Sequence, residues 1–178
     1  MKKIRGVDVP VISQVTGLAV AAGAQLAIAA DITIASENAK FSVPGAKTIG
    51  LYCHSPAVEL ARAVPRKIAM DLLVTGDFLE ASDAYRAGMI SRLVGDYDAC
   101  VAAVEDVINK IENTSRSVQA LGKQKFYDQV DLPIQGAADL MENAMYENLQ
   151  LADTQIGINS FMEKKKPQWT HSNAKRDP

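Results

Sequence analysis

The segment GLAVAAGAQLAIAAD, residues 17–31, decides how this sequence is interpreted. Small residues fill the run from Ala19 to Ala24, and residues 22–30 favour a helix because small side chains and leucine permit close packing. The segment then ends on Asp31. Two interpretations remain open at this point. The segment is either a turn whose backbone N–H groups hold a ligand at the start of a helix, or an alanine-rich helix that is only buried.

The composition is that of an ordinary globular domain. The chain has 178 residues, of which 48% are hydrophobic and 22% charged, and its formal net charge is −2. That charge gives no reason to expect nucleic acid or a membrane surface as a partner. Gln25 and Asp31 interrupt the apolar run around the segment, so we expect it to be buried within a fold. The two histidines and two cysteines lack metal-ligand spacing, which predicts no metal site.

Strand and helix patterns alternate in the first half of the chain, and helices alone follow. Strands are expected at residues 9–15, at 32–35, around Phe41 and at 89–94, and a glycine-rich loop at 45–56. Glycine and apolar spacing predict helices at 65–76, 79–88, 96–114, 115–129 and 134–164. The pattern therefore predicts an α/β core over 1–95, a helical region over 96–169 and a polar, frayed tail over 170–178.

Several ordered motifs resemble the enoyl-CoA hydratase/isomerase (crotonase) superfamily. They are PVISQVTGLAVAAGAQLAIAADITIAS, AKFSVPGAKTIGL, ARAVPRKIAMDLLVTGDFLEASDAYRAGMISRLV and FMEKKKPQW. Within the superfamily, GLYCHSP and ARAVPRK are most similar to the enoyl-CoA hydratase domain-containing protein 3 group. The resemblance implies a ClpP/crotonase-like α/β spiral of ββα units, with C-terminal helices that assemble a homotrimer or hexamer. The family's leading region is expected to be missing from this chain, because MKKIRGVDVPVIS is similar to the end of a mid-domain helix.

The resemblance also implies acyl-CoA thioesters as ligands, with coenzyme A as part of the substrate and no separate cofactor. The family holds the thioester enolate with two backbone N–H groups, and one of them corresponds here to Ala22. Fixed N–H dipoles at a helix start suit a developing oxyanion. The resemblance further assigns contacts with the bound coenzyme A. Those residues are Gly17, Ala19, Gly23, Phe161 and Lys164.

The same resemblance shows where this chain departs from the hydratases. The two glutamates of the hydratases correspond to Gln25 and Gly45. Hydration needs a carboxylate to activate water and a carboxyl group to deliver a proton, and neither residue supplies them. The loop residues Cys53 and His54 are candidate acids or bases, although a buried thiol and a solvated imidazole are equally ordinary roles for them. Ser55 is expected to cap the next helix, and Asp31 to make a structural hydrogen bond.

The sequence therefore predicts a member of this superfamily that acts on or binds acyl-CoA, with hydratase activity weak or lost. The alternative is a non-catalytic acyl-CoA-binding or oligomeric assembly module. A cytoplasmic location is expected for a bacterial protein and a mitochondrial one for a eukaryotic protein.

Overall fold

The computed structural model describes residues 1–174, and this part of the chain divides into two units. The first consists of Met1–Ile4 and Val11–Ile108, and the second of Arg5–Pro10 and the chain from Asn109 onward. The predicted boundaries after residues 95 and 169 stay predictions.

The first unit contains two three-stranded sheets. The strands are β1 (Ile12–Val15), β2 (Leu18–Val20), β3 (Ile32–Ser36), β4 (Lys40–Ser42), β5 (Leu79–Glu80) and β6 (Arg92–Val94). One sheet has the order β1-β3-β6 and is parallel throughout, and the other has the order β2-β4-β5 with an antiparallel β4–β5 pair. The consecutive strands β1 and β2 lie in different sheets and are followed by a helix, and so are β3 and β4. Each set of two strands and a helix is one ββα unit, and the unit is repeated.

Ten helices occur between residues 1 and 174, and most follow the predicted pattern. Their bounds are α1 (Lys2–Arg5), α2 (Ala22–Ala29), α3 (Gly45–Ile49), α4 (His54–Ala63), α5 (Arg66–Thr75), α6 (Ala81–Arg86), α7 (Tyr97–Glu112), α8 (Arg116–Gln129), α9 (Ile134–Leu149) and α10 (Ala152–Met162). The predicted order, alternating elements followed by helices alone, is confirmed. Within the described part of the chain, no helix is both long and apolar enough to cross a membrane.

Helix α2 packs closely because its inward side chains are small. Ala24 and Ala27 are 1% and 5% exposed. The hydroxyls of Ser13 and Thr33, on neighbouring strands, lie 2.9 Å apart and both donate to the carbonyl of Ala27, at 3.0 and 2.8 Å. These bonds hold α2 against the sheet. The Asp31 carboxylate accepts from the N–H of Val11 at 2.6 Å, which confirms its predicted structural role.

Two sequence predictions about secondary structure are wrong. The segment 45–56 is not a continuous loop, because α3 occupies Gly45–Ile49 and α4 begins at His54. A left-handed Gly50, at φ 65°, ends α3. The single helix predicted over 134–164 is two helices, α9 and α10, with a short non-helical connection between them. At this connection the Thr154 hydroxyl donates to the backbone carbonyl of Asn148 at 2.7 Å.

The polar residues that follow Trp169 are ordered by a buried carboxylate in the second unit. Asp153 is fully buried and accepts from the Ser115 hydroxyl at 2.6 Å, from the backbone N–H groups of Thr170 and His171 at 2.8 and 3.0 Å, and from the Thr170 hydroxyl at 2.6 Å. Burial alone would raise the pKa of Asp153, but these donors outweigh it and lower that pKa below its usual value. The predicted fraying is therefore wrong for Thr170 and His171, which these bonds hold, and residues 175–178 lie outside the described part of the chain.

Candidate functional site

One cavity of about 390 Å³ in the first unit brings together five residues singled out in the sequence. They are Ala22 and Gln25 on α2, Gly45 at the start of α3, and Cys53 and His54 at the start of α4. The tertiary structure thus joins positions that are up to 32 residues apart in the chain. The remaining lining residues are Ala21, Ile49, Leu51, Tyr52, Ser55 and Pro56.

The turn into α2 is strained at Ala21. This residue has φ 50° and ψ −113°, a conformation that an L-residue with a Cβ rarely adopts. It is held on both sides, because its N–H donates to Ser42 O at 2.8 Å and its carbonyl accepts from Gln25 N at 3.0 Å. The next N–H, that of Ala22, has no hydrogen-bond acceptor among the described residues. It opens α2 at the cavity wall, where the helix dipole adds to its attraction for negative charge.

The amide of Gln25 is bonded at both ends to one residue. Its Nε2 donates to the backbone carbonyl of Ser55 at 3.0 Å, and its Oε1 accepts from the Ser55 hydroxyl at 3.0 Å. A carbonyl can only accept, so the nitrogen must face Ser55 O, and this determines the orientation of the amide. The predicted helix-capping role of Ser55 is wrong, since α4 has no side-chain cap and the hydroxyl is used to hold Gln25.

Gly45 occupies a position with no room for a side chain. A Cβ at this residue would lie 2.3 Å from Leu51 O and 2.7 Å from Cys53 Sγ. Real Cβ atoms do not approach other heavy atoms so closely, and the nearer of these two atoms belongs to the backbone. The turn at residues 51–53 therefore fills the space into which a side chain at position 45 would project.

The Cys53 thiol is part of this packing. It is 9% exposed, accepts from the N–H of Gly45 at 3.3 Å and donates to the carbonyl of Val43 at 3.4 Å. Both hydrogen-bonding functions of the sulfur are therefore in use, and they tie the start of α4 to the end of β4. Neither Cys53 nor the other cysteine, Cys100, forms a disulfide. Cys100 is also buried, and burial raises the pKa of its thiol.

The His54 side chain is exposed and packs against the ring of Tyr52. It is the first residue of α4, and its ring meets the Tyr52 ring edge-on, with centroids 5.2 Å apart and planes at 72°. Within residues 1–174 its imidazole has no hydrogen-bond partner. The aromatic contact orients the ring and leaves both nitrogens free.

The five residues that the family resemblance assigns to coenzyme A contact do not line this cavity. Gly17, Ala19 and Gly23 line a second cavity of about 660 Å³ beside β1 and β2. Phe161 and Lys164 belong to the second unit, where the Phe161 side chain is 82% exposed. Over the described part of the chain, no group of three histidine, cysteine or acidic side chains could hold a metal ion.

Two contributors to the site, Ala21 and Ser55, were missed or misassigned by sequence reasoning. The left-handed backbone of Ala21 could not be read from an alanine, because the residue that signals such a turn is glycine. Ser55 and Gln25 are 30 positions apart, and no local pattern connects them.

Comparison with known proteins now decides the family. The Enoyl-CoA hydratase/isomerase family model matches residues 1–172. The chain belongs to this family. It is 44% identical, over 171 residues, to the mouse mitochondrial enoyl-CoA hydratase domain-containing protein 3, a match that covers 96% of the chain and 56% of the mouse protein.

Solved structures of family members confirm the predicted crotonase fold. The human enoyl-CoA hydratase domain-containing protein 3 superposes with a TM-score of 0.91 at 42% identity, over 94% of this chain and 66% of that one. An enoyl-CoA hydratase of Mycobacterium smegmatis gives 0.90 at 37% identity, over 93% and 64%. The chain therefore spans less than two thirds of the length of these relatives.

Proposed function

We propose that this family member binds acyl-CoA thioesters and holds the thioester oxygen with the Ala22 N–H. The observation that supports the proposal is the free Ala22 N–H at the cavity wall, beside Gln25 and Gly45. A fixed N–H at a helix start stabilises charge that develops on an oxygen. Coenzyme A enters as part of the substrate, and no other cofactor is required.

Hydration of an enoyl thioester is not part of this function. The reaction needs one carboxylate to activate water and one carboxyl group to protonate carbon. The Gln25 amide is occupied by Ser55, and Gly45 has no room for a side chain. We therefore expect no measurable loss of the conjugated enoyl absorbance when crotonyl-CoA is mixed with the protein.

The binding experiment is calorimetry with butyryl-CoA and with free coenzyme A. Ala22→Pro removes the proposed donor at the first helical position, where proline is compatible with a helix. Arg66→Pro is the matched control, because it removes the N–H at the first position of another helix, α5, which does not line this cavity and follows an extended Pro65. Both changes are made in an Ala21→Gly background, which relaxes the strained residue that precedes position 22 and keeps the two variants comparable.

We expect Ala22→Pro to weaken butyryl-CoA binding by roughly 10-fold, which is the loss of one hydrogen bond to the ligand. Binding of free coenzyme A is expected to be unchanged, since it has no thioester oxygen. Equal losses in the two proline variants, or no binding of butyryl-CoA by the parent protein, would refute the proposal.

The alternative is a non-catalytic acyl-CoA-binding or assembly module. One observation favours an assembly role, namely the large apolar side chains that are exposed on α9 and α10. Ile134 is 89% exposed, Phe161 82% and Met162 74%. We propose that these helices assemble a homotrimer or hexamer, which sedimentation equilibrium measures directly. A monomer at high protein concentration would exclude the assembly role.

The location of the protein is also a proposal. The mouse and human relatives are named mitochondrial, and we propose a mitochondrial location if this protein is eukaryotic and a cytoplasmic one if it is bacterial. Fractionation of the source cells, with detection by an antibody, tests this.

A further inference from the structure

Most polar groups that line the Ala22 cavity already have partners. The amide of Gln25 and the hydroxyl of Ser55 are bonded to each other, and the thiol of Cys53 is bonded to backbone groups on both sides. These groups hold the wall of the cavity together. Each would have to break an existing hydrogen bond before it could take up or deliver a proton.

The exceptions among the described lining residues are the side chains of Tyr52 and His54, which have no hydrogen-bond partner in residues 1–174. Imidazole exchanges protons near neutral pH, whereas a phenol is chiefly a hydrogen-bonding group there. The edge of one ring packs against the other, so Tyr52 limits the orientations open to the imidazole. The lone proton-exchanging group left free at this wall is therefore that of His54.

We propose that His54 is the proton-transfer residue of this cavity and acts on the carbon next to the thioester carbonyl of a bound acyl-CoA. The inference rests on the proposed function, because it requires the thioester oxygen to lie at the Ala22 N–H. It assigns proton chemistry to a chain that has neither glutamate of the hydratases. The substrate class is a saturated or β,γ-unsaturated acyl thioester, in which this carbon carries an acidic proton.

The step is a balanced proton transfer. The neutral imidazole takes the α-proton, and the C–H electron pair forms the enolate double bond while negative charge moves to the thioester oxygen. The N–H of Ala22 stabilises that charge. The imidazolium then returns a proton to the α-carbon, which gives exchange with solvent, or to the γ-carbon of an unsaturated chain, which moves the double bond. No oxidant, reductant or second substrate is involved.

The test incubates butyryl-CoA with the protein in D₂O. Mass spectrometry of the recovered butyryl-CoA then measures how much deuterium it has incorporated. Butyryl-CoA is saturated, so hydration cannot contribute to the signal. The chain contains two histidines, and the second provides a matched control. His171→Gln changes the histidine of the second unit, whose Nδ1 accepts from the Arg116 N–H; glutamine can accept the same bond through its side-chain oxygen.

We expect the wild-type protein and His171→Gln to incorporate deuterium at equal rates. His54→Gln should lower the rate by about 10²- to 10⁴-fold, the usual contribution of a general acid–base group, while butyryl-CoA binding measured by calorimetry is retained.

Several results would overturn the proposal. Retained exchange in His54→Gln would do so, as would loss of exchange in Tyr52→Phe while His54→Gln stays active. Wild-type protein that binds butyryl-CoA without exchanging its protons would overturn the role of His54 and leave the proposed binding function intact. Failure to bind butyryl-CoA would overturn the binding function itself.

Discussion

Replacing Gln25 with glutamate would place a carboxylate at the wall of the Ala22 cavity, and the contacts of this side chain predict a less stable protein. Gln25 is 7% exposed, and its Nε2 lies 3.0 Å from the Ser55 carbonyl. A carboxylate oxygen at that place would face a carbonyl oxygen with no proton between them. The other oxygen could still accept from the Ser55 hydroxyl, so the change removes one of two hydrogen bonds.

The expected destabilisation at neutral pH is about 2–4 kcal/mol. The lost hydrogen bond accounts for about 1 kcal/mol, and the carboxylate oxygen left without a donor at this buried position for about 1–3 kcal/mol more. For a chain of this size the melting temperature should fall by about 2–4 °C for each kcal/mol. Thermal unfolding of both proteins, followed by circular dichroism, measures the difference.

The sign of the pH dependence makes this prediction specific. Burial and the facing carbonyl should raise the pKa of the new carboxyl group above its unfolded value of about 4.3. A protonated carboxyl group can donate to Ser55 O, as the amide does. The stability gap to the wild type should therefore be small below the unfolded pKa and grow as the pH rises through the folded pKa.

Gln155→Glu is the matched control, because the Gln155 amide donates to the Leu149 carbonyl at the same 3.0 Å but in an exposed hydrogen bond. Water can replace the lost donor there, so we expect less than about 1 kcal/mol. A Gln25→Glu protein whose stability gap is independent of pH, or no larger than that of the control, would refute the reasoning about the Ser55 contact.

Three further changes test other parts of the structure. Gly45→Ala should destabilise the protein by about 1–3 kcal/mol or more in urea unfolding, because the new Cβ overlaps a backbone oxygen. Gly23→Ala is the control, because a Cβ at position 23 meets open space, and it should stabilise the protein by about 0.5–1 kcal/mol. A similar loss of stability in the Gly45→Ala and Gly23→Ala proteins would contradict this account. Ala21→Gly should raise stability by about 0.5–1 kcal/mol, since relief of about 1–2 kcal/mol of strain exceeds the added chain entropy, and a lower melting temperature would contradict the strain. Asp153→Asn should destabilise by about 1.5–3 kcal/mol and speed hydrogen exchange of the Thr170 and His171 amides, through loss of charge-assisted hydrogen bonds. The pKa of Asp153 is lower in the folded protein than in the unfolded chain. The carboxylate therefore contributes its full stabilisation above the unfolded pKa, and this stabilisation is lost as the pH falls through the folded pKa. A stabilisation by Asp153 that grows on acidification would contradict this account.

Local patterns predicted the secondary structure of the first unit well. The helix expected over residues 22–30 is observed at Ala22–Ala29, and the strand expected at 32–35 is observed at Ile32–Ser36. Glycine correctly marked the end of α5, where Gly76 is left-handed. The helices within 45–56 were missed because glycine and proline there suggested a loop, and their stability comes from packing rather than from local propensity.

The sequence by itself determined the family and the position of the helix that starts at Ala22, and it singled out Gln25 and Gly45 as positions that carry no carboxylate. Each of these depends on residue identity and order along the chain. Only the tertiary structure decided that the Gln25 amide is occupied, that no side chain fits at position 45, and that His54 is free. The physical reason is that hydrogen-bond commitment and steric room depend on contacts between separate elements, such as that between α2 and α4, and such contacts leave no local pattern in the sequence.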